Sequence, residues 1–400
     1  MGLGELAKEQ VLYPQESLLM PSKGSTKLLI GIPKESMPYE NRVCLTPEAV
    51  GLLVNNGHDV IIETNAGQNA KFSDREYSEA GGQISYSSKE VFSADIILKV
   101  EPPSSEEIAY MKTGKTIISA LQMARMTPEY FQGINKIKAT ALAFEYIEDK
   151  GRTMPVVRAM SEIAGSTVML IAAEYLSSVN GKGVILGGVT GVPPTRVVIL
   201  GAGTVAEFAA RTALGLGAQV KVFDNQVYKL RRLKHDLGVQ IYTSIIDTLT
   251  LRHELQDADV VIGSLRSEEG SPCVVTEEMV AEMQPNSIII DVSIDQGGCF
   301  ETSRMTDHKN PIFRKYDVIH YCVPNIASRV AKTASTALSN IFTPILLQIS
   351  KKGGVDELIY TREWFKKGVY SYKGNITNSY LAKKFNLKHK DLDLLLAARL

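Results

Sequence analysis

The sequence predicts an α/β protein built on two doubly wound parallel sheets. Short β-branched runs alternate with longer amphipathic stretches from Lys27 onward, the pattern left by parallel strands joined through crossover helices. The chain has 400 residues and is 44% hydrophobic, too long for one ordinary core and apolar enough for two. The runs also fall into two sets, separated by the Gly/Pro-rich stretch GKGVILGGVTGVPPT.

The first set is KLLIGIP, DVIIET, DIILKV, TIISAL and TALAFE. After the first run, TPEAVGLLVNNG reads as a helix, with Thr46 as its cap and Pro47 in its first turn. The second set is RVVILG, QVKVFD, VQIYT, DVVIGS, SIIIDVS and DVIHYCV. ASRVAKTASTALSNIFTPILLQISKKGG then reads as a long helix, interrupted by Pro344 and ended by Gly353 and Gly354. A long helix after a completed sheet commonly returns the chain to the other domain. The expected division is an N-terminal extension at 1–27, one domain from 28–155 and 332–400, and a second inserted at 156–331.

Forty-four basic residues balance forty-four acidic ones, which leaves no electrostatic footprint for nucleic acid or an anionic membrane. A small-molecule partner is the expectation. Cys44, Cys273, Cys299 and Cys322 lie far apart with no C-x-x-C spacing, so neither a metal site nor a disulfide framework is expected, and a reducing cytoplasm fits. The N-terminus lacks an apolar signal core, and the run VMLIAAEYL is short and carries Glu174, so no membrane span is expected.

RVVILGAGTVAEFAARTALGLGAQVKVFD carries the most specific chemistry. Gly201, Gly203 and Ala206 form G-x-G-x-x-A between a buried strand and an alanine-rich helix, and Asp224 ends the next strand. Gly201 permits the tight turn, and Gly203 lets backbone approach a pyrophosphate. Ala206 allows close helix–strand packing, and the helix N-terminus favours the negative charge. Asp224 can accept from both ribose hydroxyls and would repel a 2′-phosphate, which favours NAD over NADP. The inserted domain is therefore read as a Rossmann domain.

With these residues in hand, the chain resembles the alanine dehydrogenases, whose near relative is the NAD-binding subunit of proton-translocating nicotinamide nucleotide transhydrogenase. The markers are GIPKES, ENRVCLTPEAV, ILKVEPP, MSEIAG, GVILGGVTGVPPTRVVILGAGTVA, DVSIDQGGCFE and YCVPN, and they run from about Lys27 to about Ala382. The resemblance implies two Rossmann-like domains, the NAD-binding one inserted into the substrate domain. It also implies NAD-dependent oxidative deamination of L-alanine to pyruvate and ammonia by a homo-oligomer, a hexamer in the family. A transhydrogenase-type subunit with a membrane partner, or a dehydrogenase of another amino acid, is the alternative.

Carried over by position, Arg42 matches the arginine that grips the substrate carboxylate, Lys99 the lysine on the substrate oxygen, and Asp295 the acid beside the nicotinamide. Ser161, Thr204, Asp224, Lys229, Arg304 and Asn325 match residues around the cofactor, with Gly201, Gly203, Val205, Ala206, Leu265, Ile294 and Val323 completing its surroundings. Two positions depart. The family reads Lys-Val-Lys-Glu-Pro where this chain has KVEPP, so a gapless match sets Glu101, not Lys99, opposite the substrate lysine. Gln122, in SALQMAR, stands where the family has its acid/base histidine.

The residue types support these roles. Arg42 has a planar fork for a carboxylate. Lys99 closes an apolar strand, where it must find a charged partner or a ligand. Gln122 can orient a carbonyl oxygen but cannot carry a proton, which leaves three readings: Asp295 or Lys99 takes the proton duty, the chemistry is slow, or the substrate is not alanine. His320, beside YCVPN, is the one histidine worth testing as a substitute. Asp295 lies past a strand's carboxyl end, where open α/β sheets bind ligands, and Gly297 and Gly298 let backbone approach a ring; Asp291, inside the run, is expected to be structural.

Overall fold

The computed structural model describes residues 25–149, 151–267 and 270–398. Most of the N-terminal extension, residues 1–24, lies outside the described residues. The chain forms two compact units, one comprising residues up to Val157 and from Ala331 onward, the other Arg158–Val330.

The first unit contains β1 (Leu29–Ile32), β2 (Asp59–Glu63), β3 (Gln83–Ser85), β4 (Ile96–Leu98), β5 (Thr116–Ser119) and β6 (Thr140–Ala143). The second contains β7 (Arg196–Leu200), β8 (Gln219–Phe223), β9 (Tyr242–Ser244), β10 (Val260–Gly263), β11 (Ile288–Asp291), β12 (Ile312–Lys315) and β13 (Val318–Tyr321). The first unit is completed by β14 (Val369–Tyr372) and β15 (Asn375–Ile376). Its sheet runs β15-β14-β6-β5-β4-β1-β2-β3, and the second unit's runs β12-β13-β11-β10-β7-β8-β9.

Both sheets therefore share one doubly wound order. In the first, β1 pairs in parallel with β2 on one side and β4 on the other; in the second, β7 does the same with β8 and β10. Strand order reverses at β1/β4 and at β7/β10, and ligands of such sheets bind past the carboxyl ends at that reversal. Four strands go beyond the sequence reading: β3, β12, β14 and β15. Their residues, QIS, IFRK, VYSY and NI, lack the continuous aliphatic run that marks most of the others.

The β-branched strands of the second unit are buried on both faces. Val197, Ile199, Val220, Val222, Ile262 and Ile290 pack on one side, while Val198, Leu200, Phe223, Val261 and Ile289 pack on the other. This explains why the runs read as continuous rather than alternating.

Helix α1 (Pro47–Asn55) starts as expected, with the Thr46 hydroxyl accepting from Ala49 N and proline in the first turn. Helix α2 (Pro155–Leu176) is long and apolar enough, by length and composition, to cross a membrane, though 44% of its most apolar stretch is buried inside the protein. Val168, Met169, Ile171, Ala172 and Leu176 lie in the second unit's core. Helix α3 (Thr204–Gly215) follows the glycine turn. Helix α4 (Ala331–Lys351) runs unbroken through Pro344, contrary to the expected interruption. Pro344 faces solvent, and buried Phe342, Ile345 and Leu346 hold the helix on either side, so the loss of one N–H is tolerated.

Candidate active site

In the second unit the chain leaves β7 at Gly201, whose φ is +106° and whose added Cβ would meet Ser264 O at 2.7 Å. Glycine is required there by the protein itself. At Gly203, by contrast, an added Cβ would meet nothing within 4 Å, so packing does not explain the residue. The open space lies at the N-terminus of α3, where the first-turn amides lack helical partners and suit an anion.

Asp224, buried just past β8, accepts Ala202 N at 2.8 Å on Oδ2 and Gln226 N at 2.7 Å on Oδ1. It ties the glycine turn to the neighbouring strand, and each oxygen retains a lone pair for a ribose diol. Turn, helix terminus and acid together fit a dinucleotide.

The loop after β11 is organised by Asp291. This fully buried carboxylate accepts Ser293 N at 3.0 Å, Cys299 N at 2.9 Å and Ser303 Oγ at 2.6 Å. An added Cβ on Gly298 would lie 2.6 Å from Asp291 Oδ2. Gly298 thus makes room for that carboxylate rather than for a ring; Gly297 has open surroundings. The pinned loop presents Asp295 on a 3₁₀ turn, Ile294–Gln296, with Ile294 buried and Asp295 exposed. Desolvation by its surroundings nonetheless raises the Asp295 carboxyl above its ordinary value, against its own backbone N–H and Arg266, which lower it.

Five strand ends carry the remaining expected cofactor residues or their neighbours. Thr204, Val205 and Ala206 follow β7, Leu265 follows β10, Ile294 and Asp295 follow β11, and Val323 and Asn325 follow β13. Asp224 follows β8. Ser161 lies instead on α2, Lys229 on the helix Val227–Leu237, and the Arg304 guanidinium rests over the Phe313 ring at 4.4 Å.

His320 does not serve as a substitute acid/base. Its ring is buried, with Nε2 2.8 Å from Thr302 Oγ1, Nδ1 3.1 Å from Val318 O, and its face stacked on Phe313. Burial pushes its pKa down to about 4, so it is a neutral core histidine at neutral pH.

In the first unit, charged residues gather past the ends of β1, β4, β5 and β6. Lys99 directly follows β4, is 1% exposed, and donates to Glu35 Oε2 at 2.7 Å, with Glu107 Oε1 at 3.7 Å. Burial lowers the Lys99 pKa, but Glu35, Glu107 and Glu101 together carry it above its usual value. Glu35 also accepts Val100 N and Glu101 N at 2.6 and 3.2 Å. Burial pushes its carboxyl up to about 7 against the pull of Lys99. The ammonium expected on a substrate oxygen is thus engaged by the protein's own carboxylates.

Arg42 is likewise paired. Its Nε and Nη2 donate to the two oxygens of buried Glu40 at 2.8 and 2.5 Å. Burial opposes its charge, and Glu40, Glu101 and Glu35 more than offset that.

Glu101, 3% exposed, accepts from Gln122 Nε2 at 2.6 Å. Arg125 Nη1 reaches Gln122 Oε1 at 2.8 Å and Glu101 Oε2 at 3.4 Å, closing a ring of three side chains. Gln122 itself has φ 47° and ψ 58°, a left-handed conformation that costs a non-glycine residue about 1–2 kcal/mol. Glu145 Oε1 holds it there by accepting Leu121 N and Gln122 N at 2.8 and 3.3 Å. The structure brings Gln122 to Glu101, not to Lys99.

Sequence reasoning missed Glu35, Glu40, Glu107, Arg125 and Glu145. A signal for two of these acids was present: Glu35 and Glu145, like Glu101, lie two or three residues past a strand end, where a parallel sheet collects ligand-facing groups.

Residues 31–164 match the alanine dehydrogenase/PNT N-terminal domain and residues 167–379 match the C-terminal domain. The chain belongs to the alanine dehydrogenase/PNT family. It is 36% identical over 367 residues to alanine dehydrogenase 2 of Staphylococcus aureus (strain NCTC 8325 / PS 47), covering 91% of this chain and 98% of the relative. With alanine dehydrogenase of Bacillus subtilis (strain 168) it shares 38% over 365 residues, 90% of this chain and 96% of that one.

Among solved structures, an L-alanine dehydrogenase superposes with TM-score 0.83 at 34% identity, covering 90% of this chain and 99% of that chain. A transhydrogenase from Sinorhizobium meliloti superposes with TM-score 0.75 at 24% identity over 88% and 99%, a likeness of fold.

Proposed function

We propose that this member of the alanine dehydrogenase/PNT family is an NAD-dependent amino-acid dehydrogenase that converts L-alanine reversibly to pyruvate and ammonia. The observation that carries the reading is Asp295: a carboxylate presented past the carboxyl end of β11, on a loop pinned by Asp291, in the same unit as the open Gly203 cradle. Full-length similarity to proteins named alanine dehydrogenase supports the same reaction.

The second unit's residues would hold NAD, whose nicotinamide supplies the hydride acceptor. Gly201, Gly203, Thr204 and Val205 would meet the pyrophosphate, and Asp224 the adenosine ribose. Arg42 would grip the substrate carboxylate. Gln122 would orient the carbonyl or imine oxygen without titrating. Asp295 would manage the proton of the water that attacks the imine. Lys99 would act through Glu35, fixing the backbone of Val100 and Glu101, instead of touching the substrate. All four cysteines are free, and we place the enzyme in the cytoplasm as a homo-oligomer, a hexamer by family likeness.

The test is NADH oxidation with pyruvate plus ammonium, and NAD⁺ reduction with L-alanine, from neutral to strongly alkaline pH. Turnover in both directions supports the assignment. NADH binding with no turnover at any pH defeats it for alanine, and a panel of other 2-oxo acids would then find or exclude another substrate.

A further inference from the structure

We infer that Glu101 is the base that takes the proton from the substrate's ammonium group, and that Arg125 holds the ammonium position until substrate replaces it. The inference rests on the dehydrogenase reading and gives the Glu101 side chain a chemical role that the reading does not assign.

Amino-acid oxidation needs such a base. A 2-amino acid binds as the ammonium, which has no lone pair to assist loss of hydride from Cα. Glu101 Oε2 accepts one proton: an N–H bond breaks, an O–H bond forms, and a neutral amine results. The amine lone pair then forms the C=N bond as the Cα hydride departs to the nicotinamide oxidant, so carbon loses two electrons. Water adds to the iminium carbon as Asp295 takes one of its protons, and the C–N bond breaks to give the 2-oxo acid. The Glu101 proton leaves with ammonia as ammonium, and the Asp295 proton is the one released to solvent.

The neighbouring carboxylates are committed elsewhere. Glu35 accepts from Lys99 Nζ and two backbone amides, and both oxygens of Glu40 accept from Arg42, through Nε and Nη2. Glu107 closes a capping box with Ser104 and faces Lys99. Glu101 differs on both oxygens. Oε1 accepts from a neutral amide held rigidly by a strained backbone, and Oε2 has a long, 3.4 Å contact to an arginine whose side chain is 53% exposed.

Arg125 is therefore the replaceable partner. An incoming ammonium exchanges one cation for another at Oε2 and keeps the buried charge balanced, whereas a second anion there would not be tolerated. Arg42 acts electrostatically on Glu101, so carboxylate and ammonium of one zwitterion would find opposite charges in one neighbourhood. Burial and Glu40 raise the Glu101 carboxyl above its ordinary value, while Arg42, Gln122 and Arg125 pull it back. The direction favours a carboxylate that accepts a proton readily.

The test is the pH dependence of kcat/KM for L-alanine oxidation in wild type, Glu101→Gln, Glu101→Asp and Arg125→Gln, alongside L-alanine-induced thermal shifts measured without NAD. Glu101→Gln should lose about 10²–10⁴-fold in kcat/KM together with the acidic limb of the profile. Its melting temperature and NADH affinity should stay at wild-type values, and its L-alanine thermal shift should vanish.

Glu101→Asp should keep the limb at reduced rate, and it carries the test if Glu101→Gln does not fold. Arg125→Gln should move the limb to higher pH, because a cation that favours the charged carboxylate is gone. A folded Glu101→Gln that keeps the acidic limb and stays within threefold of wild type overturns the inference and leaves the dehydrogenase reading standing. A wild type inactive on every 2-amino acid overturns the dehydrogenase reading first, and this inference with it.

Discussion

The carboxyl edges of the two sheets share a strand order and almost nothing else. In the second unit the edge holds an open glycine turn, Asp224 bonded to two backbone amides, and an exposed Asp295. In the first, Glu40, Arg42, Lys99, Glu101 and Glu107 are all buried and interlocked, beside Glu35. One edge is shaped for a large ligand that brings its own charges; the other is a charged network built for a small one. Topology determines where a crevice lies, and loop residues determine what it can do.

The largest effect should come from breaking the first edge. Lys99→Met leaves Glu35 and Glu107 buried without their cation and should cost about 3–5 kcal/mol in urea unfolding. Adding Glu35→Gln should recover part of that loss, since the uncompensated charge is then removed.

A stability contribution confined to the second unit should appear on acidification. His320 has its folded pKa depressed from 6.5 to about 4, so the unfolded state takes up its proton first as pH falls. Its contribution is complete above pH 6.5 and is lost as pH falls toward 4, by up to about 3 kcal/mol. Unfolding curves of wild type and His320→Gln at neutral and acidic pH should converge by about that amount; a constant gap would mean the histidine is not neutral in the fold.

The smallest effects separate the second edge's two glycines. Gly201→Ala should destabilise by about 2 kcal/mol, because φ is +106° and Ser264 O lies in the way. Gly203→Ala should stay within about 0.5 kcal/mol of wild type in stability, yet weaken NADH binding in a fluorescence titration. Equal destabilisation by both would remove the reason for assigning the Gly203 space to a ligand.

Much of this was legible in the sequence. The long β-branched runs read as strands because both faces are buried, and Gly201, Gly203, Ala206 and Asp224 stand out by their spacing. Asp291 was expected to be structural, although its three donors converge through the bend at Gly298, which no pattern encodes. The first edge was harder. Lys99 reads in sequence as a ligand residue at a strand end, because its partner Glu35 is 64 residues away. Gln122's placement depends on Glu145 bonding its backbone, a contact between strand ends invisible to periodicity. Residue identity was readable at each position; pairing across strands was not.

The most direct measurement is initial-rate NAD⁺ reduction with L-alanine across pH, for wild type and Asp295→Asn in parallel, with NADH binding followed for both. Wild type should turn over, Asp295→Asn should fall by about 10²–10⁴-fold, and NADH affinity should be similar in the two. Undiminished turnover in Asp295→Asn, or wild type that binds NADH but oxidises no alanine, would contradict the role assigned to Asp295 in alanine oxidation.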